Sequence, residues 1–203
     1  MNHLIDQTIE SYQNNFDKYV ARTPAEPSGD FKNWLDSFLS ELPQKSRILE
    51  IGSATGRDAR YFRAHGHETL CTDIMPQALQ QLSEDGFETA VFDIRDQPHP
   101  EWLGQFDGFF ANGVLQHLPP KLLKNTLANS TKVLKEGGII AFSLKNGIGE
   151  EVSMAKLKAP RYYYYYQETE IKELLKQLPI EIIDVNYGAN QKWVRFICRF
   201  KNR

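Results

Sequence analysis

The chain has 203 residues, with 24 Lys plus Arg against 26 Asp plus Glu and a formal net charge of −2. That length suits a single α/β unit with a sizeable core, and the near-balanced charge gives no global field to draw it to nucleic acid or an anionic membrane. No apolar run approaches the roughly 20 residues needed to span a bilayer, and Met1 to Gln7 lacks the basic-then-apolar order of a signal peptide, so a cytoplasmic protein is expected.

In chain order, Tyr12, Phe16, Tyr19 and Val20 recur at three- to four-residue spacing and predict an amphipathic helix. Thr23-Pro24-Ala25-Glu26-Pro27-Ser28-Gly29 breaks it, which sets residues 1–30 apart as an accessory element. A second helix, Asp30 to Leu42, stops before Pro43. Arg47 to Ile51 then reads as a buried strand carrying Glu50 near its end, followed by the small-residue turn Gly52-Ser53-Ala54-Thr55-Gly56. A helix starts at about Thr55 to Arg57. Its free N–H groups and positive dipole end suit an anionic group, and the small residues let a ligand approach the backbone.

Three further strands end in the same manner. Glu68 to Asp73 ends in an acid twenty-one residues past Gly52, the spacing at which doubly wound folds place a ribose-binding carboxylate. Glu88 to Asp93 and Gln105 to Asn112 repeat the form. Four strands thus place Glu50, Asp73, Asp93 and Asn112 along one sheet edge, where α/β folds bind ligands. Between them, Gln77 to Asp85 is a helix behind Pro76, and Lys121 to Leu134 is a longer one behind Pro119-Pro120. Glu136-Gly137-Gly138 ends that helix and Ile139 to Leu144 is the fifth strand. Glu168 to Leu178 is the last helix, and Ile180 to Val185 and Trp193 to Phe200 pair as strands. Cys71 and Cys198 fall in apolar strand patterns and read as buried, reduced thiols.

With these motifs the chain resembles the class I S-adenosylmethionine-dependent methyltransferases, from about Tyr12 to its end. The family's acidic-x-Gly-x-Gly-x-Gly motif stands here as Glu50-Ile51-Gly52-Ser53-Ala54-Thr55-Gly56, with Ala54 for the middle glycine. The resemblance implies a doubly wound, seven-stranded, mostly parallel sheet with a C-terminal antiparallel hairpin, in one domain spanning residues 1–203. It implies S-adenosylmethionine as cofactor. Gly52, Ser53 and Gly56 would line its methionine part, Arg57 would reach its carboxylate, and Asp73 would hold the ribose. Ile74 would pack on the adenine, Asp93 would meet the exocyclic amine, the Ile94 backbone the ring nitrogen, and Asn112 would lie beside the sulfonium. The N-terminal helix would fold over the cofactor, with Tyr19 and Arg22 closing the pocket; packing against the sheet edge is the plainer role for Tyr12 and Phe16.

A nicotinamide-binding loop is the nearest rival. It expects G-x-G-x-x-G, yet the last glycine position counted from Gly52 is Arg57, too bulky for close helix packing, and Glu50 would repel a pyrophosphate. A zwitterionic sulfonium without phosphate tolerates that acid.

The connection 145–167 is too long for a simple turn, and in the family it lies over the acceptor. An extended Tyr162 to Tyr166 would put Tyr162, Tyr164 and Tyr166 on one face and Tyr163 and Tyr165 on the other. Either the run packs a lid onto the sheet, or it forms an aromatic wall orienting a small acceptor, with Arg161 and Tyr165 as acceptor contacts and Lys156 and Lys158 as cations for an acceptor carboxylate or phosphate or as solvated loop residues. His117, just past the fourth strand, is the candidate general base, or else a ligand of its own turn. His3, His65, His67 and His99 lack metal-ligand spacing, so no metal is expected. An activated methyl group asks chiefly for an in-line nucleophile and exclusion of water. The expected acceptor is a small molecule. An RNA-modifying enzyme using Lys192, Arg195, Arg199, Lys201 and Arg203, or a non-catalytic binding protein of the same fold, are the alternatives.

Overall fold

A computed structural model describes residues 2–201. Helices α1 (Asn2–Gln13), α2 (Phe16–Ala21) and α3 (Gly29–Ser40) precede the alternating core of β1 (Arg47–Ile51), α4 (Arg57–Ala64), β2 (Glu68–Asp73), α5 (Pro76–Glu84), β3 (Glu88–Val91), β4 (Phe106–Ala111), α6 (Pro120–Val133) and β5 (Leu134–Lys145). A short pair follows, β6 (Glu150–Ser153) and β7 (Arg161–Tyr164), then α7 (Glu168–Leu175), β8 (Ile180–Tyr187) and β9 (Trp193–Phe200). The main sheet has seven strands in the order β3-β2-β1-β4-β5-β9-β8. Neighbours from β3 to β5 are parallel, and β9 runs antiparallel to both β5 and β8. The expected doubly wound sheet with its C-terminal hairpin is therefore the observed fold.

Both faces of the sheet are covered, so its central strands read as continuous apolar runs rather than alternating ones. Leu49, Phe109, Ile140 and Phe142 point to one core. Ile48, Phe110, Ile139 and Ala141 point to the other, where Trp34 and Phe38 of α3 pack tilted rings, and Phe62 of α4 an aromatic edge, against Phe110. Cys71 and Cys198 are buried free thiols.

Several boundaries differ from the sequence reading. The predicted helix across Tyr12 to Val20 is two helices, because Asn14-Asn15 interrupts it: the Asn15 amide donates to the Ser11 carbonyl, a local bond that competes with helix continuation. Asp93 lies two residues beyond β3, which stops at Val91. Pairing of β5 begins at Leu134 opposite Phe106 and resumes at Ile139 opposite Gly108, so Glu136-Gly137-Gly138 belongs to a bulge with Gly137 at φ 76°. Helix α7 ends at Leu175 rather than Leu178; the chain tightens into turns, with the Gln177 N–H donating to the Leu174 carbonyl and the Leu178 N–H to that of Leu175, and Pro179 has no N–H to continue them.

The connection 145–167 holds the unforeseen pair β6–β7, a two-stranded flap. It is tied to α1 by the Tyr162 N–H donating to Thr8 Oγ1 at 2.8 Å and by the Ser11 hydroxyl donating to the Pro160 carbonyl at 2.6 Å.

Candidate active site

Two clefts meet at the carboxyl ends of β1, β2 and β4, sharing Gly52, Ala54, Asn112 and Gly113 along their border. The first, about 830 Å³ with its open mouth, is mostly apolar and runs between the strand ends and α1, with Ile5, Ile9, Ile74 and Ile94 on its walls. The second, about 1300 Å³ with its open mouth, lies between the glycine turn and the flap. Tyr12 and Tyr19 line both.

The glycine turn is shaped by sterics. Gly52 sits at φ 72°, and a Cβ there would meet Val114 Cγ2 at 2.3 Å; Gly56 sits at φ 71°, where a Cβ would meet Leu82 Cδ2 at 2.1 Å. Ala54 also adopts a left-handed φ of 46°, a conformation costing a non-glycine residue about 1–2 kcal/mol. Asp73 holds it there: one carboxylate oxygen accepts from the Ala54 N–H and the other from the Met75 N–H, each at 3.0 Å. Burial raises the Asp73 pKa against these bonds. Glu50 is 2 % exposed beneath the turn, one of its oxygens has no hydrogen-bond partner, and the Ser53 hydroxyl has none either. Burial first, and then the neighbouring Asp58, push the Glu50 carboxyl up to about 8. A buried acid and an orphan hydroxyl beside a turn of exposed backbone are the groups that the ammonium of an amino-acid moiety would satisfy.

The other expected site residues fall around this centre. Asn112 is fixed from both sides, accepting from the Ser143 hydroxyl at 2.9 Å and donating to Asp58 at 3.1 Å. Arg57 clasps Asp58, with Nε 2.6 Å from Oδ1, and lies over the Phe31 ring at 4.3 Å. Asp93 faces the first cleft, but both its oxygens are engaged by Arg95, which also reaches Asp6 on α1 at 2.7 Å. Sequence reasoning missed Arg95; a basic residue two positions past the strand-end acid was the available signal.

His117 is buried, and burial lowers its pKa to about 4. Its Nδ1–H donates to the Tyr162 carbonyl, so Nε2 is the acceptor; the Gln116 amide lies 3.1 Å away and the Tyr12 hydroxyl 3.3 Å. Arg161 is 4 % exposed and donates to that same Tyr12 hydroxyl at 3.3 Å. Of the tyrosine run, Tyr162 and Tyr166 enter the core, with the Tyr166 hydroxyl donating to the Leu118 carbonyl at 2.7 Å, while Tyr163 and Tyr165 line the second cleft. Lys156 lines it too; Lys158 is exposed. At the C-terminal end, Arg199 pairs with Glu41 and Lys201 with Glu181, Arg195 is buried, and Lys192 is exposed. Arg203 lies outside the described residues.

Residues 49–140 match the family model of a methyltransferase domain. That segment contains the glycine turn, Asp73, Asp93 and Asn112. No curated protein matches the chain by sequence. Among solved structures, a 1,6-didemethyltoxoflavin-N1-methyltransferase from Burkholderia thailandensis, with 1,6-didemethyltoxoflavin and S-adenosylhomocysteine bound, is similar at 18 % identity and a TM-score of 0.76, over 99 % of this chain and 89 % of that one. A TehB-like S-adenosylmethionine-dependent methyltransferase from Corynebacterium glutamicum is similar at 18 % identity and a TM-score of 0.67, over 95 % and 97 %. An S-adenosylmethionine-dependent methyltransferase from Methanosarcina mazei has 16 % identity and a TM-score of 0.69, over 81 % and 97 %. Among the described residues no helix is long and apolar enough to cross a membrane.

Proposed function

We propose that the chain, whose residues 49–140 match a methyltransferase-domain model, is a class I S-adenosylmethionine-dependent methyltransferase whose acceptor is a small molecule seated in the flap-side cleft. The observation that carries this reading is the meeting of the two clefts along Gly52 and Asn112, which would hold donor and acceptor on opposite sides of one border.

When bound, the cofactor supplies a methyl group already activated on a sulfonium. In the first cleft Asp73 would take the ribose hydroxyls with the lone pairs its backbone bonds leave free. Ile74 would pack on the adenine, the Ile94 backbone would meet its ring nitrogen, and Asp93, steadied by Arg95, would face its amine. Glu50, Ser53, Gly52 and Gly56 would take the methionine end, with Arg57 toward its carboxylate. Asn112, held by Ser143 and Asp58, would stand beside the reacting centre. The protein then contributes orientation and exclusion of water, with the connection 145–167 as a lid and residues 1–30 as a cap. His117, with a pKa of about 4 and both ring nitrogens engaged, is a weak base at neutral pH; its service is to hold the Tyr12 hydroxyl toward the border. The two reduced, buried cysteines suit a cytoplasmic setting.

The test is transfer from methyl-labelled donor into a cell extract, fractionated into small molecules and bulk RNA. Label in the small-molecule fraction is the expected result, and mass spectrometry of that fraction then identifies the acceptor. Label confined to RNA would overturn the reading.

A further inference from the structure

The flap-side cleft has an unusual charge arrangement. Its charged lining is Arg57, Lys145, Lys156 and Arg161 against Asp58 and Glu151, four cations to two carboxylates. Asp58 is taken by Arg57, and Glu151 accepts from the Tyr165 hydroxyl at 2.6 Å. Among the described residues the other three cations have no carboxylate within ion-pair distance. Arg161 is the clearest case: it is buried, its Nε has no partner among the described residues, and its guanidinium donates to the Tyr12 hydroxyl. A buried guanidinium is ordinarily paired, because desolvating it without a counter-charge is costly. What surrounds it instead is aromatic, with its guanidinium 5.7 Å from the Tyr12 ring centroid and 5.2 Å from that of Tyr163. Lys145 lies 4.1 Å over the Trp193 ring, and Lys156 lies 4.0 Å over Tyr19.

Resting on the small-molecule reading above, we infer that the acceptor carries an oxyanion, a carboxylate or a phosphate, docked by Arg161, Lys145 and Lys156 and attached to a flat, apolar frame lying against Tyr163, Tyr165 and Trp193. The three cations converge from β7, β5 and the β6–β7 connection, so one anion between them completes the pairing the protein lacks. The lysines behave as cations short of counter-charge. Burial, then Lys192 and Arg161, lowers Lys145, and burial, then Arg161, Arg57 and Arg22, brings Lys156 down to about 8. The guanidinium supplies a planar fork for the two oxygens of such a group.

Calorimetric titration of the protein saturated with S-adenosylhomocysteine tests this, using benzoate and phenyl phosphate as probes and benzamide as their uncharged counterpart. At least one anion is expected to bind ten times more tightly than benzamide, and that preference should weaken as salt rises. Arg161→Gln and Lys145→Gln should each cut the preference at least fivefold while leaving S-adenosylhomocysteine affinity unchanged. Lys145 is half-buried, so its variant decides the matter if Arg161→Gln fails to fold. Benzamide binding as well as both anions, or a preference surviving in the folded variants, overturns the proposal. Failure of the wild-type protein to bind S-adenosylhomocysteine would instead count against the donor site, and phenyl phosphate against benzamide in the free protein would then judge the anion site alone. Preference for benzoate or for phenyl phosphate tells the carboxylate from the phosphate.

Discussion

Replacing Gly52 by alanine perturbs the donor turn at one atom. The backbone there has φ 72°, and the added Cβ would lie 2.3 Å from Val114 Cγ2. The left-handed conformation costs alanine about 1–2 kcal/mol. Relieving the overlap requires the Val114 side chain or the turn to shift, an overpacking penalty of about 1–3 kcal/mol. The sum, about 2–5 kcal/mol, is a large part of a typical domain's stability of roughly 5–15 kcal/mol, so the variant should fold at 25 °C with a lowered urea midpoint and unchanged slope. Because Val114 also lines the donor cleft, S-adenosylhomocysteine affinity should fall as well. The double variant Gly52→Ala, Val114→Ala separates the two causes. Removing the Val114 methyls deletes the overlap and leaves the backbone cost, so a coupling of about 1 kcal/mol or more is expected in the cycle. A Gly52→Ala loss below about 0.5 kcal/mol, or strict additivity, would refute the steric argument.

Three further outcomes follow from the same geometry. Asp73→Ala should weaken S-adenosylhomocysteine binding by about 1.5–3 kcal/mol, the scale of hydrogen bonds to a charged group; unchanged affinity by calorimetry would remove Asp73 from the ribose site. The Glu50 carboxyl stands at about 8 in the fold against an ordinary 4.5, so between those values the folded chain keeps a proton the unfolded chain has lost. Its contribution to stability therefore falls as pH rises from about 4.5 to 8 and levels off above. Urea midpoints of Glu50→Gln should gain on wild type across that window, and parallel curves would contradict the assignment. Within the tyrosine run, Tyr166→Phe should cost about 1–2 kcal/mol by stranding the buried Leu118 carbonyl. Tyr165→Ala, on the partly open face, should change stability little and leave S-adenosylhomocysteine affinity intact, and thermal melts that rank the two the other way would reverse the assigned faces.

The glycine turn and the acids at the strand ends were largely legible in the sequence because their signals are local. Glycines where the backbone turns left-handed and acids at strand ends are set by a few adjacent residues, and the β-α alternation follows from apolar runs bounded by turn residues. What escaped was made by distant partners. Arg95 reaches Asp6 across 89 positions, and Tyr12 meets His117 across 105. The pair β6–β7 has four-residue strands, and Glu150-Glu151-Val152-Ser153 has no strand periodicity of its own; it is extended because it pairs with Arg161 to Tyr164. The break at Asn14-Asn15 was within reach, since two poor helix formers stood inside a stripe read for its aromatics alone.

The helix α1 and the flap, which wall in the two clefts, both lie outside residues 49–140. On the proposed reading, the sheet that carries the donor turn and the segments that would touch an acceptor are thus separable along the chain. If the proposed acceptor cleft is correct, variation in Tyr12, Lys145, Lys156, Arg161 or Tyr165 would redirect the enzyme to another compound while the β1–α4 turn stays as it is. A chimera that keeps residues 49–140 and exchanges the flanking segments is the natural unit for changing what this protein methylates.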